Sequence, residues 1–293
     1  MNVPYNSVRF FACLFLTFVV GCADSAPQRQ RKILFIGIDG VRPDAMALAD
    51  TPNLDSLIAA GSFSAAAQTV IPSFSGPGWS SMLTGVFPDK HNVATNLFID
   101  PDFEHFPHFF THLKEARPDL VTASIVHWAP INLNIVSDAD FVAEPISDEG
   151  VMKEAVALLG TDDPDVLFLH FDDCDLSGHV YGFSPEVPEY LGAIAKVDSQ
   201  IGVILDALAA RPTIDSEEWL ILSATDHGGL GRLHGGITAE EMTIFVLVSG
   251  NAAQGGAIEP APAIVDLAPT AFEFLGVEID PAWRLDGIPV GLR

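Results

Sequence analysis

The stretch Ile33-Leu34-Phe35-Ile36-Gly37-Ile38-Asp39-Gly40-Val41-Arg42-Pro43-Asp44 decides how the rest of the chain is read. Its first six residues carry no charge and are mostly large and apolar. That is the pattern of a strand buried on both faces, as in a parallel sheet. A carboxylate follows at once. Four further runs, at residues 121–126, 166–171, 220–224 and 243–248, read as buried parallel strands too. Apolar residues at helical spacing predict helices over 53–60, 108–115, 148–159, 189–209 and 265–275. Strands alternating with helices imply an α/β fold, a largely parallel sheet covered on both faces. One folded unit is expected, with room for a small cap near residues 90–150.

Outward from Asp39, the polar residues that stand out also follow strand ends. Asp172 to His179 follow the run at 166–171, and Asp226-His227 follow the run at 220–224. An open parallel sheet binds ligands outside the carboxyl ends of its strands, so these groups are expected at one edge. A lone aspartate after a strand is usually a turn or cap residue, but capping does not explain three such deliveries. Ser73-Phe74-Ser75-Gly76-Pro77-Gly78-Trp79 reads as a serine at a tight turn opening a short helix. Its hydroxyl is then exposed, and the backbone N–H groups that follow are expected to hold an anion. Asp175 and His179, four apart, can converge on one cation. Asp226-His227-Gly228-Gly229, with His234 seven residues after His227, suits a metal-lined loop.

The order Asp39, then Ser75 ahead of Thr84-Gly85, then Asp175-x-x-x-His179, Asp226-His227-Gly228 and His234 is informative. It resembles the nucleotide pyrophosphatase/phosphodiesterase branch of the alkaline phosphatase superfamily. The resemblance runs from Ile33 to the C-terminus, where Asp266-Leu267-Ala268-Pro269-Thr270 and Asp286-Gly287 also match. It implies an alkaline-phosphatase-like three-layer α/β/α sandwich and a metal-dependent phosphoric ester hydrolase, a phosphodiesterase or pyrophosphatase. By position, one zinc ion would be held by Asp39, Ser75, Asp226 and His227, and a second by Asp175, His179 and His234. Mixed carboxylate and imidazole ligands suit zinc better than magnesium or calcium. Ser75 would be the nucleophile, passing through a phosphoseryl intermediate. Asn96, 21 residues beyond it, would hydrogen-bond a phosphoryl oxygen. One departure is that Gly-Pro-Gly-Trp follows Ser75, where the branch has a Phe-Pro-Asn type segment after a threonine. That weakens the expectation of a nucleotide substrate more than that of two-metal chemistry.

Charge narrows the function classes. Against 39 acidic residues stand 14 Lys and Arg, a formal net charge of −25. A nucleic-acid scaffold needs a basic surface, so that class is excluded. A small phosphate-ester substrate must then be captured by something cationic inside a site, and metal ions are the natural candidates. The N-terminus reads differently from the rest. Arg9 precedes an apolar stretch that ends in Val19-Val20-Gly21-Cys22, which resembles the lipobox of bacterial lipoproteins. An ordinary cleaved signal and an uncleaved anchor helix are the alternatives. Gly21 and the polar tract after Cys22 favour lipidation. The expectation is a signal peptide at 1–21, a lipidated Cys22 with a flexible linker at 22–31, and a catalytic domain at 32–293. The protein would be exported and lipid-anchored in a bacterial cell envelope. Cys174 alone remains in the mature domain, which excludes an internal disulfide.

Three rival readings come from the same residues. Ser75-Gly76-Pro77 resembles the start of a sulfatase motif, but that motif requires an arginine where Trp79 stands. A phosphomonoesterase needs a further cation, for which Arg42 and Arg232 are candidates. An inactive, surface-anchored binding protein would have lost a ligand or the nucleophile, and every position is filled. His105, His108 and His112 read as packing residues, and His127 and His170 as core or supporting groups at strand ends. His91 reads as a loop support, and Asp172 and Asp173 as turn caps or supports.

Overall fold

The computed structural model describes residues 29–293 together with Met1, Asn2 and Pro4. Cys22 and nearly all of the expected signal segment lie outside the described residues. The strands are β1 (Gln30–Ile38), β2 (Ser62–Gln68), β3 (Thr122–Val126), β4 (Phe141–Ala143), β5 (Val166–Phe171), β6 (Glu217–Ala224), β7 (Thr243–Ser249) and β8 (Gly256–Ala257). They form one sheet in the order β4-β3-β5-β1-β6-β7-β2-β8. The helices are α1 (Pro43–Met46), α2 (Pro52–Ala60), α3 (Ser75–Thr84), α4 (Pro88–His91) and α5 (Phe109–Ala116). After them come α6 (Asp148–Thr161), α7 (Asp173–Tyr181), α8 (Pro188–Ala209), α9 (Ala239–Met242) and α10 (Leu267–Leu275).

β1 lies at the centre, parallel to β5 on one side and β6 on the other. Its alternating side chains feed two separate cores. Ile33 and Phe35 join one with Trp79, Met82 and Leu83 of α3, Phe109 and Phe110 of α5, and Phe272 of α10. Leu34, Ile36 and Ile38 join the other with Val151 and Ala155 of α6 and Ile194, Val197, Ile201 and Ile204 of α8. The three- and four-residue spacing along α8 is what lays one apolar stripe on the sheet. The result is the expected three-layer α/β/α sandwich. The Phe35 and Phe168 rings meet edge-on with centroids 5.3 Å apart. Truncating either ring to alanine would cost about 3–5 kcal/mol of stability.

Two expectations need correction. The run at 243–248 is a buried strand, but β7 is antiparallel to both β6 and β2. The connection from β6 carries only the four-residue α9 and stays at the carboxyl edge, so the chain re-enters the sheet from that edge. Nor is the stretch at 90–150 a cap: β3 and β4 within it are members of the central sheet. β1 also starts at Gln30, inside the expected linker. Lys32 is completely buried there and is held by Asp165 Oδ1 at 3.0 Å.

Candidate active site

The carboxyl ends of β5, β1 and β6 lie side by side, which places Asp39, the start of α7, and Asp226-His227 at one edge. The Asp39 N–H donates to the Phe171 carbonyl at 2.8 Å, pinning the end of β1 to β5. The next residue, Gly40, has φ +66°, and a Cβ there would lie 2.8 Å from Asp175 Oδ1. Glycine is what lets Asp175 reach the end of β1. Ser75 is the first residue of α3, and its Oγ lies 3.3 Å from His227 Nε2.

His227 Nε2 is also 3.3 Å from Asp39 Oδ1 and 3.3 Å from Asp226 Oδ2. Its other nitrogen, Nδ1, faces the Gly228 carbonyl at 2.7 Å. A carbonyl only accepts, so Nδ1 carries the proton and Nε2 turns a lone pair on three oxygens. The same device recurs twice. His179 Nδ1 faces the Arg232 carbonyl at 2.9 Å, and His234 Nδ1 faces the Ser73 carbonyl at 3.1 Å. Their Nε2 atoms are 3.1 Å apart. His179 Nε2 lies 3.2 Å from Asp175 Oδ2, and His234 Nε2 lies 3.6 Å from Asp175 Oδ1. The His227 and His234 rings stack at 3.7 Å and join the two groups.

Around His227, electron-rich atoms therefore face each other, whereas His179 is paired with Asp175. Asp39 Oδ1, Asp175 Oδ1 and Asp226 Oδ2 are buried without a hydrogen-bond partner. Burial, with the charges of Asp39 and Asp175, pushes the Asp226 carboxyl far above its usual range. Burial also pushes Asp39 up, but the His170 hydrogen bond and the nearby imidazoles outweigh it and hold that carboxyl well below its usual range. His179 is pushed up to about 9, chiefly by its bond to Asp175. Burial pushes His234 down to about 4. Clustered buried carboxylates are costly unless paired with positive charge or metal. The donor set, three imidazole nitrogens, three carboxylates and a hydroxyl, fits divalent cations well.

The structure thus brings Asp39, Ser75, Asp175, His179, Asp226, His227 and His234 together. Asn96 joins them through Gly76, whose N–H donates to Asn96 Oδ1 at 2.7 Å. That bond turns Asn96 Nδ2, the donor end, away from Gly76. One expectation fails here. The N–H groups after Ser75 are not open to an anion: Gly76 is taken by Asn96, residue 77 is proline, and Gly78 donates to Phe74 O. Other residues are explained by packing. His105 pairs with Asp102 and His108 with Asp138, while His112 stacks on Trp283 with centroids 4.2 Å apart. His91 supports Ser81 from within the core. Asp148 caps α7 by accepting from the N–H groups of Asp172 and Asp173, and it holds His127. Two residues outside the expected ligand set touch the site, His170 in the supporting role that was one of its expected readings. Trp79 Nε1–H donates to Asp39 Oδ2 at 2.9 Å, and His170 Nε2 reaches the same oxygen at 3.1 Å. The signal was register: His170 pairs with Gly37, two residues before Asp39, on the face that carries Phe168.

Comparisons with known proteins bear on the fold and the family. The mouse ectonucleotide pyrophosphatase/phosphodiesterase family member 7 is 27% identical over 248 residues, 74% of this chain and 54% of its own. The bis(5′-adenosyl)-triphosphatase ENPP4 of Bos taurus is 25% identical over 238 residues, 73% of this chain and 51% of its own. The chain thus spans about half the length of these curated relatives. In the fold, the murine ectonucleotide pyrophosphatase/phosphodiesterase 5 superposes with a TM-score of 0.68 at 15% identity, covering 86% of this chain and 96% of that one. The sequence model of type I phosphodiesterases and nucleotide pyrophosphatases matches residues 33–137 and 138–231, well over half of the protein. This chain belongs to the type I phosphodiesterase / nucleotide pyrophosphatase family.

Proposed function

We propose that the protein is a metal-dependent phosphoric ester hydrolase that cleaves phosphodiesters or pyrophosphates through Ser75. One observation carries the reading. Three histidines, each with Nδ1 tied to a backbone carbonyl, turn Nε2 toward three carboxylates and one serine hydroxyl. Asp39, Ser75, Asp226 and His227 would hold one zinc ion, and Asp175, His179 and His234 a second. Bound there, the ions supply the positive charge that lowers the pKa of the serine hydroxyl and stabilises the departing oxygen.

The chain's own groups do the rest. Ser75 Oγ, held 3.3 Å from His227 Nε2 at the head of α3, is placed to attack phosphorus. A bond forms between Oγ and phosphorus as the bond to the leaving alcohol or phosphate breaks, and the serine proton ends on the departing oxygen. Water then attacks the phosphoseryl group and returns the hydroxyl. Asn96 Nδ2 is free to donate to a phosphoryl oxygen, while its Oδ1 is anchored by Gly76. With the helix N–H groups spent, Asn96 is the chain's main neutral donor for the charge that develops.

Of the two candidate cations for a monoester, Arg232 is exposed and Arg42 is already engaged, which favours a diester. Arg42 Nε and Nη2 are bound to Asp44, and its Nη1 reaches the Phe183 and Gly229 carbonyls. It cannot turn to a second phosphate charge. A sulfatase reading is disfavoured because Trp79 is a core residue bonded to Asp39. For the whole protein we propose export and a lipid anchor at Cys22, after a signal at 1–21 and ahead of a catalytic domain at 32–293. Among the described residues no helix is long and apolar enough to cross a membrane. The test compares hydrolysis of an aryl phosphodiester, the phosphomonoester and the sulfate ester with zinc, beside Ser75→Ala. Diester cleavage that disappears in the variant and with chelator is expected. Cleavage that persists in Ser75→Ala would contradict the assignment.

A further inference from the structure

We propose that Trp79 and His170 are positioning residues that choose which oxygen of Asp39 faces a bound cation, and so set the affinity of the buried half of the site. The proposal rests on the two-cation reading above.

Both groups converge on one atom. Trp79 Nε1–H donates to Asp39 Oδ2 at 2.9 Å, and His170 Nε2 lies 3.1 Å from the same Oδ2. Asp39 Oδ1 has no hydrogen-bond partner and lies 3.3 Å from His227 Nε2. An unrestrained carboxylate turns about its last bond and offers either oxygen, or both. Two donors fixed on Oδ2 remove that freedom and leave Oδ1 alone toward the site. Oriented carboxylates bind a cation with less to reorganise.

The clamp is itself held. His170 Nδ1 faces the Trp128 N–H at 3.4 Å. A backbone N–H only donates, so Nδ1 accepts and Nε2 carries the proton that Asp39 receives. This tautomer also explains why His170 is a poor candidate for a ligand, although its nitrogen lies within 4.8 Å of oxygens from Asp39 and Asp172. Trp79 is wedged across β1, and a Cβ on Gly37 would run into its indole ring. The Trp79 and His170 rings meet edge-on with centroids 4.8 Å apart. Both side chains are completely buried. Neither group can swing away from Asp39 without opening the core.

Zinc titration calorimetry on the wild type, Trp79→Phe, His170→Leu, His170→Gln and Asp39→Asn tests this. Melting in chelator separates binding from folding. The wild type should bind two ions and Asp39→Asn one. Trp79→Phe and His170→Leu should weaken one of the two ions by about 10–100-fold and leave the other unchanged. Trp79→Phe, which leaves a smaller ring in the core, should melt below the wild type without zinc but still fold cooperatively, so its zinc affinity is read on folded protein. His170→Gln keeps a donor near Oδ2 and should recover most of the affinity. Wild-type affinity in both Trp79→Phe and His170→Leu would overturn the proposal. Loss of the ion in His170→Gln as complete as in His170→Leu would make His170 a ligand and overturn it too. A wild type that binds no zinc would instead overturn the two-cation reading beneath it.

Discussion

Asp39, Ser75, Asp226 and His227 sit at strand ends and a helix start, with their side chains sealed from solvent. Asp175, His179 and His234 stand on a helix and a loop, and the His179 side chain is 39% exposed. The difference follows from the supporting elements. β1 and β6 are central strands with both faces covered, so whatever follows them is held from three sides. α7 and the far end of the loop after β6 lie nearer the surface, where Asp175 and His234 are still largely covered but His179 opens to solvent. The buried half gathers charge at high cost and should grip its ion tightly. An ion bound at the other, more open half would be reached by water and substrate beside His179, so the first half should hold more tightly than the second.

The largest expected effect is at the nucleophile between them. Ser75→Ala should lower diester hydrolysis by about 10⁴-fold or more, while the open half still binds zinc. Steady-state kinetics beside metal analysis checks both parts. Asn96→Ala comes next, because one donor to the developing charge is lost. A fall in kcat of about 10–100-fold is expected, with zinc content unchanged. If zinc content fell too, Asn96 would belong to the framework of the site instead.

A third prediction separates the halves directly. Without metal, burial and the charges of Asp39 and Asp175 favour the protonated form of Asp226, so folding must take up a proton that an amide does not need. Asp226→Asn should raise the stability of the chelated protein by about 1–4 kcal/mol while abolishing the buried ion. His179→Gln should give no such gain, since His179 is the partner of Asp175 and is already half in water. Equal shifts in the two variants would erase the contrast.

The smallest effect concerns pH. In the metal-free protein His179 is pushed up to about 9 by Asp175, against a usual value of 6.5. A raised folded-state value contributes stability fully present below 6.5 and lost as pH climbs through about 9. The melting temperature in chelator should therefore fall across that window, and His179→Gln should flatten the fall. Solvent at the exposed ring keeps the change small. In the buried half His227 is held neutral by burial and Asp39 is already ionised. Any loss there comes from Asp226, whose raised carboxyl takes up a proton on folding, and Asp226→Asn should remove it.

Most of the residues that meet at the site were legible in the sequence, for a physical reason. A buried strand needs an unbroken apolar run, and a charged residue directly after it has nowhere to go but the carboxyl edge. Asp39, Asp226 and His227 announce themselves that way, and Asp175 with His179 by their helical spacing. β2 was not legible, because Ser62-Phe63-Ser64-Ala65-Ala66-Ala67-Gln68 has no apolar run and carries a register shift. The direction of β7 was hidden, since a strand buried on both faces looks the same whichever way it runs. The fate of the N–H groups after Ser75 depends on Asn96 folding back across 20 residues, a contact that no local pattern encodes. His170 was open to a core or a supporting reading, and the register between β1 and β5 decides it by aiming the ring at Asp39. Trp79 reaches Asp39 from α3 through a contact no local pattern encodes.

The central claim is that two cations sit in two unequal halves of one site. A crystal structure of the protein grown with zinc, with anomalous difference maps, tests it most directly. Two peaks are predicted, about 4 Å apart as in two-metal sites. The stronger should lie among Asp39 Oδ1, Asp226 Oδ2, His227 Nε2 and Ser75 Oγ. The weaker should lie among Asp175, His179 and His234. A single peak, or zinc held only at His127, Asp148 and Asp173, would contradict the account.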